Sequence, residues 1–332
     1  MGQHSGGQKK STLCSVIPEL RGVNVAVLYG GISAEREVSL ISGERVCQAL
    51  VDAGVDVTPV DVDLSFDAEQ VELLGIDMAV IALHGEFGED GQIQAILEEA
   101  GIPYTGSDAA SSRLAMDKYA AKRAYYKAGL SIPADRMIST KSAFIPGALD
   151  GLHFPLVVKP SDSGSSLGVF ICETMEEVKK ALLAQSPVVS SVLVEEFISG
   201  REFTVSVLGD KSLEPIEIQT KRKFYDFEAK YNDNDTRYLL PAPITPFQKM
   251  MLERTAEVAH RSLGCRDVSR TDIILSFDGT PFVLETNTIP GMTTHSLLPM
   301  AARVAGLEFH ELVAALAIRA WQRNSEGLRE AV

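Results

Sequence analysis

The 332-residue chain reads as one α/β unit followed by two α+β units. Three observations predict this. Short apolar runs alternate with helical stretches from Val23 to Tyr104, the pattern of a small parallel sheet covered by helices. A glycine–serine loop, SDSGSSLGVF from Ser161 to Phe170, lies between two short strand-like runs. Near the end, the apolar runs Asp272–Phe277 and Pro281–Glu285 flank Asp278-Gly279-Thr280, a strong hairpin signal.

Residues 1–20 are rich in Gly, Ser, Gln and Lys, without a long apolar core. They read as a disordered leader outside the fold rather than a signal peptide. The first unit, 21–117, opens on NVAVLYGG, a buried strand ending in two glycines, and continues with a helix in SAEREVSLISGERVCQALVDAG. Strands at Val55–Val62 and Met78–Leu83, a helix at Gln92–Ala100 and a short strand at Ile102–Tyr104 follow. Ligands of such sheets collect at the carboxyl ends of the strands. Glu35 and His84 both sit just past a strand end and are candidates there. A first-turn helix acid and a loop histidine held by backbone are the plainer readings.

The second unit, 118–208, carries a helix at Lys118–Ala128, a loop over Ser139–Leu152, the strand FPLVVKP, and the glycine–serine loop. A helix at Met175–Ala184 and strands at Ser191–Glu195 and Glu202–Leu208 complete it. The loop matches neither GxxxxGK[ST] nor GxGxxG. Small residues still free backbone N–H groups to wrap phosphate oxygens, and Lys159 stands beside them. Glu195 and Glu202 flank a strand exit where Phe197 and Ile198 can hold a purine while the acids take hydroxyls; a solvated turn is the competing reading.

The third unit, 209–332, has a strand at Glu214–Thr220, a long loop over 221–243, and helices at Pro246–Leu263, Ser296–Ala305 and His310–Arg323. Loops of that length are binding lids when they are not disordered, and Phe224, Tyr225, Phe227 and Tyr231 argue against disorder. Hairpin pairing brings Asp272, Glu285 and Asn287 together, with Glu285 and Asn287 on one face. Two carboxylates and an amide oxygen form a hard set suited to Mg²⁺ shared with phosphates. Acids that merely end their strands in water are the alternative. Gly291 lets a backbone N–H approach a ligand closely.

Composition is that of an ordinary globular protein, 45% hydrophobic and 23% charged. A formal net charge of −14 disfavours a nucleic-acid backbone as partner. Cys14, Cys47, Cys172 and Cys265 are far apart, without zinc or disulfide spacing, so reduced thiols in a cytosol are expected. No apolar run approaches the ~18 residues of a membrane span.

Taken together, the segments LYGGISAEREVSLISG, LHGEFGEDG, MDK at Met116–Lys118, VVKPSDSGSSLGV, FYDFEAKY and RTDIILSFDGTPFVLETNTIPGMTTHSLLPMAA resemble the D-alanine–D-alanine ligases of the ATP-grasp superfamily. The resemblance runs from Val23 to about Leu316. It implies an α/β fold of ATP-grasp type: an N-terminal parallel α/β domain, a central α+β subdomain and a C-terminal α+β domain, with ATP between the last two. It further implies a cytoplasmic homodimer that makes D-alanyl-D-alanine for peptidoglycan through a D-alanyl phosphate.

Position by position, the resemblance implies that Asp272, Glu285 and Asn287 hold two Mg²⁺, with Mn²⁺ as a possible substitute. Lys118 and Lys159 would contact phosphates, and Glu195 and Glu202 would bind adenine and ribose around Phe197 and Ile198. Phe224 would cover the adenine, with Lys230 beside the nucleotide. Glu35 would take the ammonium of the first D-alanine, in a set with Ser165 and Tyr231. Arg270 and the Gly291 N–H would form the oxyanion site. Ser296 and Leu297 would receive the carboxylate of the second D-alanine, with His84 nearby. Lys230 and Tyr231 imply an amine acceptor; a D-lactate or D-serine ligase, or a silent ATP-grasp binding protein, are the rivals.

Overall fold

The protein is described by a computed structural model covering residues 17–141, 145–161, 168–220 and 236–330. The first unit holds three parallel strands in the order β2-β1-β3: β1 (Asn24–Gly30), β2 (Asp56–Val62) and β3 (Met78–Ile81). Helices α1 (Arg36–Asp52), α2 (Ala68–Leu74) and α3 (Gln92–Glu99) cover it. Val25 to Leu28 are all fully buried, as a central strand covered on both faces requires. The strand expected at Ile102–Tyr104 is only a single bridge from Tyr104 to Ala79. Three residues give no periodicity to extend.

Helices α4 (Ala109–Met116) and α5 (Lys118–Lys127) follow, separated by Asp117, whose carboxylate accepts from Ala120 N at 3.0 Å and starts the second helix. The central sheet runs β4-β7-β5-β6 and is wholly antiparallel: β4 (Asp135–Ser139), β5 (Leu156–Pro160), β6 (Phe170–Cys172) and β7 (Ser191–Glu196). Helix α6 (Met175–Gln185) packs Val178, Ala181 and Leu182 on its face.

The largest sheet runs β11-β10-β8-β12-β13, with β9 at the side of β8. Its strands are β8 (Gly200–Leu208), β9 (Lys211–Ser212), β10 (Ile216–Gln219), β11 (Arg237–Leu239), β12 (Val268–Ser276) and β13 (Pro281–Asn287). Two expectations are corrected here. β8, assigned to the central unit, pairs with β12 over nine residues and so belongs to this sheet. Part of the stretch read as a lid, Arg237–Leu239, is a strand against β10. Helix α7 (Pro246–Ser262) opens on a capping box between Thr245 and Gln248. It covers one face of the sheet, where Phe203, Val205, Val207, Ile273 and Leu275 meet Leu252 and Ala256. Strand alternation then puts Glu202, Thr204, Arg270 and Asp272 on the other face.

The last helices, α8 (Leu297–Val304) and α9 (Phe309–Glu330), return to the first unit. Leu298, Ala301, Leu312, Val313 and Ala317 form one core with Val25, Val27, Val46 and Leu50. Leu20, expected to lie in a disordered leader, is fully buried in that core, and Ile17 is buried beside it. Their apolar side chains outweigh the polar composition around them. Among the described residues, no helix is long and apolar enough to cross a membrane.

Candidate active site

The hairpin fixes the centre of the site. Asp272 lies directly opposite Glu285, and Arg270 opposite Asn287. The turn is held by Asp278, which accepts from Thr280 N at 2.9 Å, with Gly279 at φ +90. A register shift after Asp272 pairs Ile273 with Val283 and leaves Leu284 as the extra residue of a β-bulge. Without it, Val283 and Glu285 would share a face. The bulge sends Val283 into the core and Glu285 to the site, so both carboxylates point the same way.

These groups are tethered by short contacts. Thr204 Oγ1 donates to Asp272 Oδ1 at 2.6 Å, and Arg270 Nε donates to the same oxygen at 3.2 Å. Lys118 Nζ, in the first turn of α5, lies 3.2 Å from Glu285 Oε2. Asn287 Oδ1 accepts from Ile289 N at 2.8 Å, which aims the chain into the following loop. There Gly291 passes so close to Ser296 Oγ that a Cβ would stand 2.7 Å from it.

Across the cleft the first unit supplies Glu35 and His84. Gly85, at φ +69, lies against Glu35; a Cβ there would be 2.9 Å from Glu35 Oε2. Ser33 Oγ donates to His84 O at 2.6 Å and accepts from Glu35 N at 3.1 Å, tying the two strand-end loops together. His84 is 4% exposed, with Nδ1 3.6 Å from Glu89 Oε1. Burial pushes the Glu89 carboxyl above its ordinary value and the nearby Glu35 charge adds to this, against the opposing pull of the His84 hydrogen bond. One pocket is lined by Glu35, His84, Lys118, Arg270, Glu285, Asn287, Gly291, Ser296 and Leu297.

The expected nucleotide residues lie further along, where the chain passes from the central sheet to the large one. Glu195 is the last residue but one of β7, Phe197 and Ile198 form the crossing, and Glu202 is the third residue of β8. Phe197 N donates to Pro155 O at 2.9 Å. Glu195 does not stand open at a turn. Its Oε1 lies 2.5 Å from Lys159 Nζ and its Oε2 2.5 Å from Lys122 Nζ. Burial works to raise its pKa, but the two ammonium groups outweigh that and hold it below the usual carboxylate range. Ser165, Phe224, Lys230 and Tyr231 lie outside the described residues.

Sequence reasoning missed several residues of this network. Lys122, fully buried and one helical turn after Lys118, bridges Glu195 and Asp135 (3.2 Å). Its signal was a lysine at i+4 on a face that carries Tyr125 and Ala121 inward. Glu89 was visible inside LHGEFGEDG, and Thr204 as a polar residue alternating with Phe203 and Val205.

Residues 64–107 match the family model described as D-ala D-ala ligase N-terminus, and residues 131–318 the one described as D-ala D-ala ligase C-terminus. The D-alanine–D-alanine ligase of Nitrosospira multiformis is 46% identical over 290 residues, covering 87% of this chain and 94% of that protein. That of Thermotoga petrophila is 45% identical over 295 residues, covering 88% and 95%. Among solved structures, the Bacillus anthracis D-alanine–D-alanine ligase complexed with ATP superposes with a TM-score of 0.81 at 31% identity, over 92% of this chain and 99% of that one. The VanG D-Ala:D-Ser ligase of Enterococcus faecalis gives a TM-score of 0.79 at 29% identity, over 90% and 99%.

Proposed function

The chain belongs to the D-alanine–D-alanine ligase family, and on that premise we propose how its cleft joins two D-alanines to D-alanyl-D-alanine, using ATP, for peptidoglycan precursors. The observation that carries the reading is that Arg270, Glu285 and Asn287 line one pocket with Glu35 and His84, while Asp272 pairs directly with Glu285 on the neighbouring strand. Phosphate-side acids and substrate-side polar groups thereby share a single cleft.

A carboxylate is a poor acyl donor. In the first step an oxygen of the first D-alanine's carboxylate attacks the γ-phosphorus and ADP leaves. Lys118 and Lys159 offset negative charge on the phosphates, and Glu195 holds the Lys159 ammonium in place. Phe197, Ile198 and Glu202 seat the nucleoside, with Phe224 and Lys230 completing that site by resemblance. Glu35, with Ser165 and Tyr231, receives the ammonium of the first D-alanine.

In the second step the deprotonated amine of the second D-alanine attacks the acyl carbon and phosphate leaves. Arg270 and the Gly291 N–H stabilise the tetrahedral oxyanion; losing one such donor costs ~3 kcal/mol. Ser296 caps α8 without a side-chain bond to it, and Pro299 carries no N–H, so the Leu297 and Leu298 N–H groups serve a carboxylate. His84 borders that place.

Asp272, Glu285 and Asn287 fit Mg²⁺, or Mn²⁺, because all their donors are hard oxygens. Two carboxylates and one amide leave octahedral positions unfilled, so the cations would also take phosphate oxygens. When bound, two such ions neutralise charge on the transferred phosphoryl group. The resemblance also supports a homodimer working in the cytoplasm.

The test supplies ATP and Mg²⁺ with D-alanine, alone and in competition with D-lactate or D-serine, and weighs the products. D-Alanyl-D-alanine is the expected main product. A depsipeptide or D-alanyl-D-serine in its place would overturn the acceptor assignment, and no ADP at all would make the chain a silent binding protein.

A further inference from the structure

We infer that Ser42 and Arg45 of α1 are positioning residues that hold the oxyanion loop for the second chemical step; this rests on the function proposed above. Ser42 is fully buried, and its Oγ accepts from Met292 N at 3.3 Å. Arg45 Nη1 donates to Met292 O at 2.7 Å. Both backbone groups of one residue, 247 to 250 positions away, are thus held by one helix. Met292 directly follows Gly291, whose N–H is the oxyanion donor.

Each clamp residue is itself fixed. The Arg45 guanidinium lies 4.1 Å from the centre of the Phe309 ring, and its burial lowers its pKa. Ser42 Oγ is also 3.2 Å from His84 Nε2. With the Nδ1 proton assigned toward Glu89, Nε2 accepts the Ser42 hydroxyl proton, which leaves the serine oxygen free to accept from Met292 N. On the far side the loop closes on itself, since Ser296 Oγ accepts from Thr293 N at 2.9 Å. Gly291 therefore sits between a clamp on Met292 and a wall at Ser296.

A buried serine in a helix interior contributes little unless it is bonded, and here its bonds reach the loop rather than its own helix. The same helix begins one residue after Glu35. One rigid element consequently sets the spacing between the acid that takes the first D-alanine's ammonium and the donor that meets the oxyanion. Loss of the clamp leaves phosphoryl transfer in place and impairs amine attack. The stranded acyl phosphate then meets water, giving D-alanine and phosphate.

The experiment uses the full chain, with Arg45→Met, Ser42→Ala and Arg45→Lys, measuring ADP and dipeptide together at saturating ATP and D-alanine. The native enzyme gives one dipeptide per ADP. Arg45→Met and Ser42→Ala are expected to keep the KM for ATP within about twofold and to lose dipeptide about tenfold or more, as misplacement of a reacting group does. Dipeptide per ADP then falls well below one, and Arg45→Lys recovers part of it. A ratio of one in the folded variants, whatever their rate, would overturn the inference, because domain glue alone lowers both products together. If Arg45→Met does not fold, the smaller Ser42→Ala change decides. A native enzyme that makes no D-alanyl-D-alanine would instead sink the proposed function.

Discussion

Glu285 meets Asp272 across the hairpin and Lys118 Nζ at 3.2 Å, so its charge is shared between the proposed cation site and that lysine. Glu285→Gln keeps the shape and removes one negative charge. Phosphate release is expected to fall to background at ordinary Mg²⁺ while thermal unfolding changes little, since the residue is only part-buried. Near-native turnover would remove Glu285 from the metal set. Glu195 differs in kind. Both its oxygens lie on buried lysines, so its acid character is spent inside the fold, and any effect on the proposed nucleotide site passes through Lys159.

Two predictions belong to elements. Helix α5 presents Lys118 and Lys122 one turn apart, the first to Glu285 and the second to Glu195 and Asp135. It ties the large sheet to the central one. Lys122→Met takes one of two cations from each of two buried carboxylates, leaving Glu195 with Lys159 and Asp135 with Arg123, so the loss should fall at or below the ~3–5 kcal/mol of a fully broken buried pair. Denaturant unfolding should show this loss, with part of it recovered in Lys122→Met combined with Glu195→Gln; full stability of the single variant would contradict the role.

The last turn of α7 carries His260, buried, with Nδ1 2.8 Å from Ser269 Oγ on β12. Burial lowers its pKa, partly opposed by the charges of Asp210 and Asp267. A depressed folded pKa means that stability is full above the unfolded value of about 6.5 and is lost as pH falls toward and through the folded value. The melting temperature should therefore drop between pH 7 and 5, and His260→Gln should flatten that slope. An identical slope in both proteins would exclude His260 as its source.

At the scale of the molecule, Asp267 is the joint. It is a non-glycine residue at φ +58, at the start of β12. Its Oδ2 accepts from Gly106 N at 2.8 Å and its Oδ1 from Arg323 Nη1 at 2.6 Å, while Arg323 Nη2 donates to Tyr104 O at 2.8 Å. The first unit, the large sheet and the last helix thus meet at one carboxylate. Asp267→Ala should lower unfolding free energy by ~1–3 kcal/mol, discounted because Arg323 remains partly exposed. Loss confined to one of two separate thermal transitions would show that the units unfold independently of this joint.

Local signals determined much of this protein. Periodicity placed β1, α1 and β3 within a few residues, because a buried parallel strand and an amphipathic helix write their burial into successive residues. Asp278-Gly279 fixed the hairpin, and with it the approach of the Asp272 and Glu285 ends of the two strands, because turn chemistry is local. The order of long segments pointed to the family. Short elements escaped: β4, α4 and β11 are set by the sheet and helices they join rather than by their own residues. Ile17 and Leu20 were hidden in a polar leader for the same reason, since their burial depends on α9, some three hundred positions later. Only the tertiary structure decided that a bulge at Leu284 turns Glu285 away from Val283, because a one-residue shift in pairing leaves no mark on composition. Only it decided that Glu195 faces two lysines and that α1 grips Met292. Those contacts join residues far apart in the chain, where each sequence neighbourhood is silent about the other.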